Sequence, residues 1–163
     1  MNDRLDAPDE ERDAVTVRCL YVLTASHQCH ECAEGTSVHA LLLRGPFDVE
    51  GYPYVDPNDE GALLRYLVAV PADVVEAMSK VSAGRWHLDV SRTYSDSYYM
   101  NHCEHCGAKI GDHYLGEPEE AFFPLTREQA ARISGHRVDG LFRFEGPQLS
   151  TSSWMDDWLR TSA

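Results

Sequence analysis

The chain has few positive charges and no long hydrophobic run. Its 163 residues include 14 lysines and arginines against 27 aspartates and glutamates, which gives a formal net charge of −13 at pH 7. No apolar run approaches the roughly 18 residues that a membrane-spanning helix needs. An acidic surface repels nucleic-acid phosphates and anionic lipids. We therefore expect no nucleic acid and no membrane as partner, and a basic protein instead, although acidity can also serve solubility alone.

The motifs of common catalytic sites are also missing. The isolated glycines Gly45, Gly51 and Gly61 form no phosphate-binding loop, and no Gly-x-Ser-x-Gly motif occurs. We therefore expect no catalytic residue and a protein that is not an enzyme. The acidic, polar segment 1–13 lacks the basic start and apolar stretch of a secretory signal. It predicts a disordered acidic N-terminus and a cytoplasmic location.

Residues 14–163 are predicted to form one α+β domain, mainly an antiparallel sheet with two or three short helices. The hydrophobic fraction of 43% is sufficient for a core. A loop with three prolines is expected over 45–61. Apolar, β-branched or alternating segments predict strands at 15–23, 37–43, 63–70, 86–91, 97–101, 108–115 and 140–144.

Three segments carry helix signals. Pro71 and an apolar stripe at helical spacing predict a helix through about residue 82. Thr126 and Gln129 form a capping-box pattern, which predicts a helix over 127–134 that Gly135 ends. Ser153, with Asp156 three residues later, predicts a last short helix. We expect its Trp154 and Trp158 to dock on the sheet of the domain, because residues four apart share one helix face.

Cysteine is scarce, but its spacing is informative. Four of the five cysteines form two CxxC pairs, Cys29 with Cys32 and Cys103 with Cys106. In a reducing compartment such pairs are typical of metal or redox sites and not of disulfides. Zn²⁺ favours four tetrahedral ligands and binds thiolate strongly, so the four cysteines are predicted to hold one structural zinc ion. The closed set leaves no position for water or substrate. Cys19 is expected to be a small buried apolar residue.

Each CxxC pair lies between strand-like segments, over 23–38 and 101–115. This arrangement resembles zinc ribbons, in which two CxxC knuckles at hairpin tips share one zinc ion. The chain also resembles small uncharacterised bacterial proteins with a second knuckle of this type, which implies no activity. Gly107 can supply the positive φ that such a turn often needs, whereas Ala33 makes the first turn a poorer match.

Seventy residues separate the two pairs, against the roughly 15–20 of the usual spacing. We therefore expect zinc to act as a clamp across the whole domain and not as the centre of a local module. A flanking histidine could replace one cysteine, but we expect each to be a surface residue or a hydrogen-bond donor to sulfur. These histidines are His27, His30, His102, His105 and His113.

The favoured function is that of a non-enzymatic zinc-binding protein that acts through a protein partner. Its concrete version is a cytoplasmic immunity or antitoxin-like inhibitor that covers the basic active site of a toxin. A thiol-based redox protein or enzyme is one alternative, and a regulatory adaptor of the transcription or translation machinery is another. The aromatic residues after position 85 are read either as core or as an exposed interface patch. The oligomeric state stays open.

Overall fold

The computed structural model of the protein describes residues 13–56 and 58–162. The disorder predicted for 1–13 lies, apart from Asp13, outside this range. The fold is α+β with a mostly antiparallel sheet, which confirms the predicted class. The strands are β1 (Ala14–Gln28), β2 (Gly35–Arg44), β3 (Asp48–Glu50), β4 (Gly61–Arg65), β5 (Trp86–Ser91), β6 (Asp96–His102), β7 (Lys109–Ile110), β8 (Ser134–Glu145) and β9 (Gln148–Ser150). The helices are α1 (Ala72–Ser82), α2 (Asp112–Leu115), α3 (Arg127–Ala130) and α4 (Ser153–Ser162). None of the described helices has the length and apolar character to cross a membrane.

The larger sheet is built around β1, which pairs antiparallel with β2 on one side and β8 on the other. Leu20 of β1 faces Leu43 of β2, and Thr16 of β1 faces Asp48 of β3. Strand β3 therefore continues the pairing with β1 after β2 has ended. Strands β4 and β9 extend the sheet past β2. Only Gly146 and Pro147 separate β8 from β9, although these strands lie at opposite edges. The sheet therefore curls so that its two edges approach each other where β8 connects to β9.

Both faces of this sheet are buried. Leu41 and Leu43 belong to one apolar cluster, together with Val74 and Met78 of α1. Leu42 points to the opposite face, because side chains alternate along a strand, and it belongs to a second cluster with the residues of α4. The run Leu41-Leu42-Leu43 is therefore fully buried without any polar alternation.

A smaller antiparallel sheet, β5-β6-β7, packs beside the larger one. Trp86 of β5 joins the first apolar cluster and stacks on Tyr99 of β6 with ring centroids 4.6 Å apart. Ile110 of β7 joins the second cluster. The small sheet therefore reaches both apolar layers, and its β6–β7 end lies where the second CxxC pair is located.

Several predicted elements are confirmed, and α1 and β5 have nearly the predicted bounds. The predicted strand 63–70 is wrong beyond Arg65, because Tyr66 adopts a left-handed φ of 55° that ends the extended chain. The segment 108–115 is only partly strand. Two residues form β7, and the next residues turn into α2.

The segment around Gly135 differs more from the prediction. The Thr126 hydroxyl accepts a hydrogen bond from the Gln129 N–H, as the capping box predicts, but α3 ends at Ala130. Ser134 and Gly135 instead begin β8, where Gly135 faces Leu23 of β1. Pairing with the long central strand outweighs the local helix signal, because tertiary contacts routinely override propensity. Gly135 is thus a strand residue and not a helix stop.

Gly135 makes room for the last helix. The predicted docking of Trp154 and Trp158 on the sheet is confirmed, since both are buried in the second cluster. The Trp158 indole N–H donates to the Ile133 carbonyl at 3.0 Å, and its ring meets Tyr21 edge-on at 5.3 Å. The predicted last helix is confirmed as α4. The Asp156 carboxylate accepts hydrogen bonds from the N–H groups of Glu60 and Gly61 and so ties this helix to the start of β4.

We expect Gly135→Ala to destabilise the fold, because the added Cβ would overlap the Trp158 ring and lie 3.3 Å from Leu23. Overpacking of this kind costs roughly 1–3 kcal/mol. Urea unfolding measures the change. Gly35→Ala is the matched control, since its Cβ would meet nothing within 4 Å. Equal unfolding free energies for the two variants would contradict this packing account.

Candidate metal centre

The first CxxC pair forms the tip of the β1–β2 hairpin. The strand ladder ends with Gln28 facing Gly35, and the chain turns through the residues between them. The Cys29 N–H donates to the Glu34 carbonyl at 2.9 Å, and the Ala33 N–H donates back to the Cys29 carbonyl at 3.0 Å. These two bonds hold the turn so that both cysteines project from the hairpin end.

The second pair repeats this geometry at the tip of β6 and β7, where His102 faces Lys109. The Cys103 N–H donates to the Ala108 carbonyl at 2.9 Å, and the Gly107 N–H donates to the Cys103 carbonyl at 2.9 Å. Gly107 has a φ of 73° and Ala33 a φ of 62°. Ala33 therefore forms the same left-handed turn as Gly107. This conformation costs an alanine roughly 1–2 kcal/mol, so the expected difference between the two turns lies in energy and not in shape.

The two knuckles bring the four predicted ligand residues to one point. The sulfurs of Cys29 and Cys106 lie 3.6 Å apart, those of Cys32 and Cys103 lie 3.7 Å apart, and the cluster spans 3.6–3.8 Å. Four sulfurs placed tetrahedrally at a Zn–S distance of about 2.3 Å would be separated by about 3.8 Å. The four cysteines therefore form a group that could hold a metal ion, and the donor set and spacing fit zinc.

The electrostatics of the cluster favour a cation at its centre. Hydrogen bonds from the backbone N–H groups of Cys106 and His105 lower the pKa of Cys103 to about 6. The N–H of Glu34 also lowers the pKa of Cys32, but desolvation and the neighbouring cysteines outweigh it and raise this pKa to about 12. One thiolate thus forms readily, and further thiolates meet like charge. A divalent cation compensates that repulsion.

The centre continues the hydrophobic core on one side and meets solvent on the other. Cys29 and Cys103 are buried members of the second apolar cluster, whereas Cys32 is half-buried and Cys106 is exposed. Cys19 is a buried member of the same cluster away from the site, as predicted. Burial also raises the pKa of its thiol. Four thiolates would complete the coordination of zinc, so the expected role of the ion is structural.

The flanking histidines have other partners. In the part of the chain that the structure describes, the group around the sulfurs contains cysteines only. The His105 side chain bonds the Gly35 carbonyl at 2.9 Å and so links the two knuckles. The others contact an aromatic ring or a carboxylate: His30 with Tyr114, His27 with Glu120, His113 with Glu117 and His102 with Asp89.

A buried asparagine joins the two hairpins beneath the sulfurs. The Asn101 side chain accepts from the His39 N–H at 2.8 Å and donates to the His39 carbonyl at 2.9 Å. His39 lies before the segment of β2 that pairs with β4, so its outward backbone groups have no strand neighbour there. The amide of Asn101 takes the place of that strand and aligns β6 with β2.

A groove of about 590 Å³ opens beside the knuckles, and four tyrosines and two histidines contribute to its walls. Tyr66 and Tyr94 stack at 4.4 Å, and Tyr98 meets both rings edge-on. Tyr114 stacks on His30 of the first knuckle at 5.5 Å. Tyr94 and Tyr114 are exposed, at 44% and 49%, whereas Tyr98 is buried. The aromatic residues after position 85 thus divide between core and surface.

Asp112 shapes this groove from below. Its carboxylate accepts from the Tyr66 N–H at 2.8 Å and so supports the left-handed backbone of Tyr66. Its own N–H donates to the Tyr98 hydroxyl at 3.1 Å. Burial raises the pKa of Asp112 to about 6. Asp112 therefore helps to position both Tyr66 and Tyr98 in the wall of the groove.

No family model, curated protein or solved structure matches this chain. The likeness to zinc ribbons stays a prediction that rests on the paired knuckles.

Sequence reasoning did not find Asn101, because an asparagine in a strand carries no signal until its partner strand is known. It expected the histidines beside the knuckles to be surface residues or hydrogen-bond donors to sulfur, whereas His102 is buried and contacts Asp89. His87 and Asp89 lie two residues apart in a predicted strand, which places both side chains on one face of the sheet. This spacing could have indicated that the two side chains lie close together.

Loss of a zinc ion from the four cysteines is expected to destabilise the whole fold, because an ion bound there would join hairpins seventy residues apart. Cys103→Ser should lower the thermal midpoint and bind less than one zinc ion per chain by native mass spectrometry. At free zinc about a thousandfold above Kd, the lost stabilisation is about 4 kcal/mol. Cys19→Ala should retain one zinc ion. Melting of the wild type that a chelator leaves unchanged would contradict the clamp.

Asn101→Ala is expected to lower the free energy of unfolding by about 2–4 kcal/mol, because two buried backbone groups of His39 lose their partners. Urea denaturation of the zinc-loaded protein measures this loss. Asn58→Ala is the control, since Asn58 lies exposed in a loop. Similar values for both variants would show that the amide bridge adds no stability.

Proposed function

We propose that this protein is a zinc-stabilised binding protein that docks a basic protein partner on the tyrosine groove beside the metal centre. The observation that carries the proposal is the groove itself. Its exposed rings belong to Tyr94 and Tyr114, and tyrosine is one of the residue types enriched among the energetically dominant residues of protein interfaces. Tyrosine supplies a large contact area at a small cost in side-chain entropy.

The metal centre would hold this groove in shape. His30 and Glu31 line it from the first knuckle, and Ala108 and Lys109 line it from the second. The groove walls therefore meet only when the two hairpins are clamped together. A structural ion without catalytic chemistry would support binding by fixing the surface in advance, which lowers the entropic cost of association.

The overall charge of the protein favours a basic partner. The groove lining itself carries both signs: Glu31 is acidic, whereas Arg92 and Lys109 are basic, and the Lys109 ammonium lies 3.3 Å from the Asp89 carboxylate. The net charge of −13 would steer a cationic protein toward the molecule at low salt.

In its concrete form the proposal is an immunity or antitoxin-like inhibitor that covers the basic active site of a toxin enzyme. The thiol-redox alternative has less support, because both CxxC pairs lie in turns between antiparallel strands. Redox pairs of the thioredoxin type lie at a helix N-terminus, which favours the reactive thiolate. An adaptor role would use the same groove and differs only in the identity of the partner.

Site-specific photocrosslinking in the native cell tests this function. A photoreactive phenylalanine derivative replaces Tyr94 in one variant and Leu141 in the control variant, since Leu141 is 68% exposed on β8 of the larger sheet. We expect the Tyr94 variant to capture one basic protein in a yield that falls with added salt. Equal capture by both variants, or capture of an acidic protein, would contradict the proposal.

The captured partner allows a quantitative measurement. In binding assays with the purified pair, Tyr114→Ala should weaken the affinity by about 30-fold, the loss of roughly 2 kcal/mol expected for an interface anchor. Leu141→Ala serves as the control and should leave Kd unchanged. If the partner is a toxin enzyme, its activity should be inhibited at the same concentrations that saturate binding.

A further inference from the structure

A second cluster of metal-ligating groups lies on the β5–β6 hairpin. His87 and Asp89 are two residues apart on β5 and so share one face of the sheet. His87 pairs with Met100 of β6, which makes His102 its diagonal neighbour on the same face. The three side chains come together through strand register and not through closeness in sequence.

The ligand atoms of these residues lie close together. One ligand atom from each of the three lies within 4.8 Å of the other two. The His102 Nε2 lies 2.8 Å from the Asp89 Oδ2. The imidazoles of His87 and His102 stack as nearly parallel rings with centroids 3.8 Å apart, so the exposed His87 ring has to turn before both rings can bind one ion. His102 is buried and His87 is exposed, so the group is anchored in the fold and opens to solvent on one side.

Hydrogen bonds to backbone carbonyls orient both imidazoles. The His102 Nδ1 lies 3.0 Å from the Arg85 carbonyl oxygen, and the His87 Nδ1 lies 3.2 Å from the Leu88 carbonyl oxygen. A carbonyl oxygen only accepts, so each Nδ1 carries the proton. Each Nε2 is then the free ligand atom. Metal-ligating histidines in proteins are held in this way by their other ring nitrogen.

The contact between His102 and Asp89 brings two potential ligand atoms together. With the imidazole proton on Nδ1, the Nε2 of His102 presents a lone pair beside the carboxylate oxygen. His87 offers one further imidazole nitrogen within the same cluster. Together the three groups supply donors of the kind that transition ions bind.

We propose that His87, Asp89 and His102 form a second metal site, for a divalent first-row transition ion such as Zn²⁺, Co²⁺ or Ni²⁺. Two imidazole nitrogens and one carboxylate oxygen suit these ions better than they suit Mg²⁺ or Ca²⁺. Three protein ligands leave a coordination position for water or an external ligand. In this respect the second site differs from the closed set of four cysteines.

Lys109 is expected to lower the affinity of this site for a metal ion. Its ammonium lies 3.3 Å from the Asp89 Oδ1 and 2.8 Å from the Val90 carbonyl oxygen. This leaves the Oδ2 of Asp89 for the metal ion, but the positive charge opposes a second cation nearby. His102 directly precedes Cys103, so the shape of the second site also depends on the second knuckle.

Titration of the zinc-loaded, tag-free protein with Co²⁺ at pH 7.5 tests the proposal. Calorimetry should show one further binding step, and NMR should show paramagnetic broadening centred on the imidazoles of His87 and His102. Loss of the outer hydrogen-bond partners of a ligand alone weakens metal binding roughly 10- to 100-fold. We therefore expect at least a tenfold loss of Co²⁺ affinity in His87→Ala and in Asp89→Asn.

Two further variants complete the test. Lys109→Gln should bind Co²⁺ several-fold more tightly, because the repelling charge is removed. His136→Ala, which alters an exposed histidine on β8, should bind as the wild type does. The proposal is overturned if the zinc-loaded wild type binds no Co²⁺ up to millimolar concentration, which would assign the His102–Asp89 contact to a proton. It is equally overturned if His87→Ala binds as the wild type does or if His136→Ala abolishes binding.

Discussion

The convergence of four cysteine sulfurs is the constraint on which the rest of the molecule depends. Sulfurs 3.6–3.8 Å apart cannot all ionise without a cation, because like charges at that distance repel strongly. The backbone N–H groups that lower the pKa of Cys103 ease only the first ionisation. A tetrahedral ion at the centre would resolve this repulsion and at the same time join hairpins that are seventy residues apart. The site therefore combines strong repulsion between thiolates with a connection between two distant parts of the chain.

The surrounding structure supports the same link by other means. Asn101 supplies strand-like hydrogen bonds to His39, and the buried cysteines continue the apolar cluster beneath α4. The groove walls include residues from both knuckles, and the stacking of His30 on Tyr114 joins the first knuckle to α2. The proposed second metal site begins one residue before Cys103. The metal centre, the groove and the His–Asp–His cluster therefore form one region whose geometry is decided by how β6 docks against β2.

Local signals in the sequence predicted local structure well. Pro71 with its apolar stripe marks α1, the alternation from Trp86 marks β5, and Thr126 caps α3 as expected. The signals were wrong where long-range pairing overrides them. Gly135 serves as a strand residue because β1 pairs with it and Trp158 occupies the space of a side chain. Ala33 adopts a conformation that glycine would enter at lower cost, because the hairpin and its two hydrogen bonds hold it there.

The sequence by itself determined the chemistry of the candidate centre. Two residues between cysteines suffice for a turn that presents both sulfurs, and this follows from covalent geometry within each knuckle. Only the tertiary structure decided that the two knuckles meet, that Asn101 bridges them, and that His87, Asp89 and His102 share one face. These outcomes depend on strand register, and a shift of one residue would turn every side chain of a strand to the opposite face. Register is set by the packing of the whole core on both sides of the sheet, which no local pattern in the chain contains.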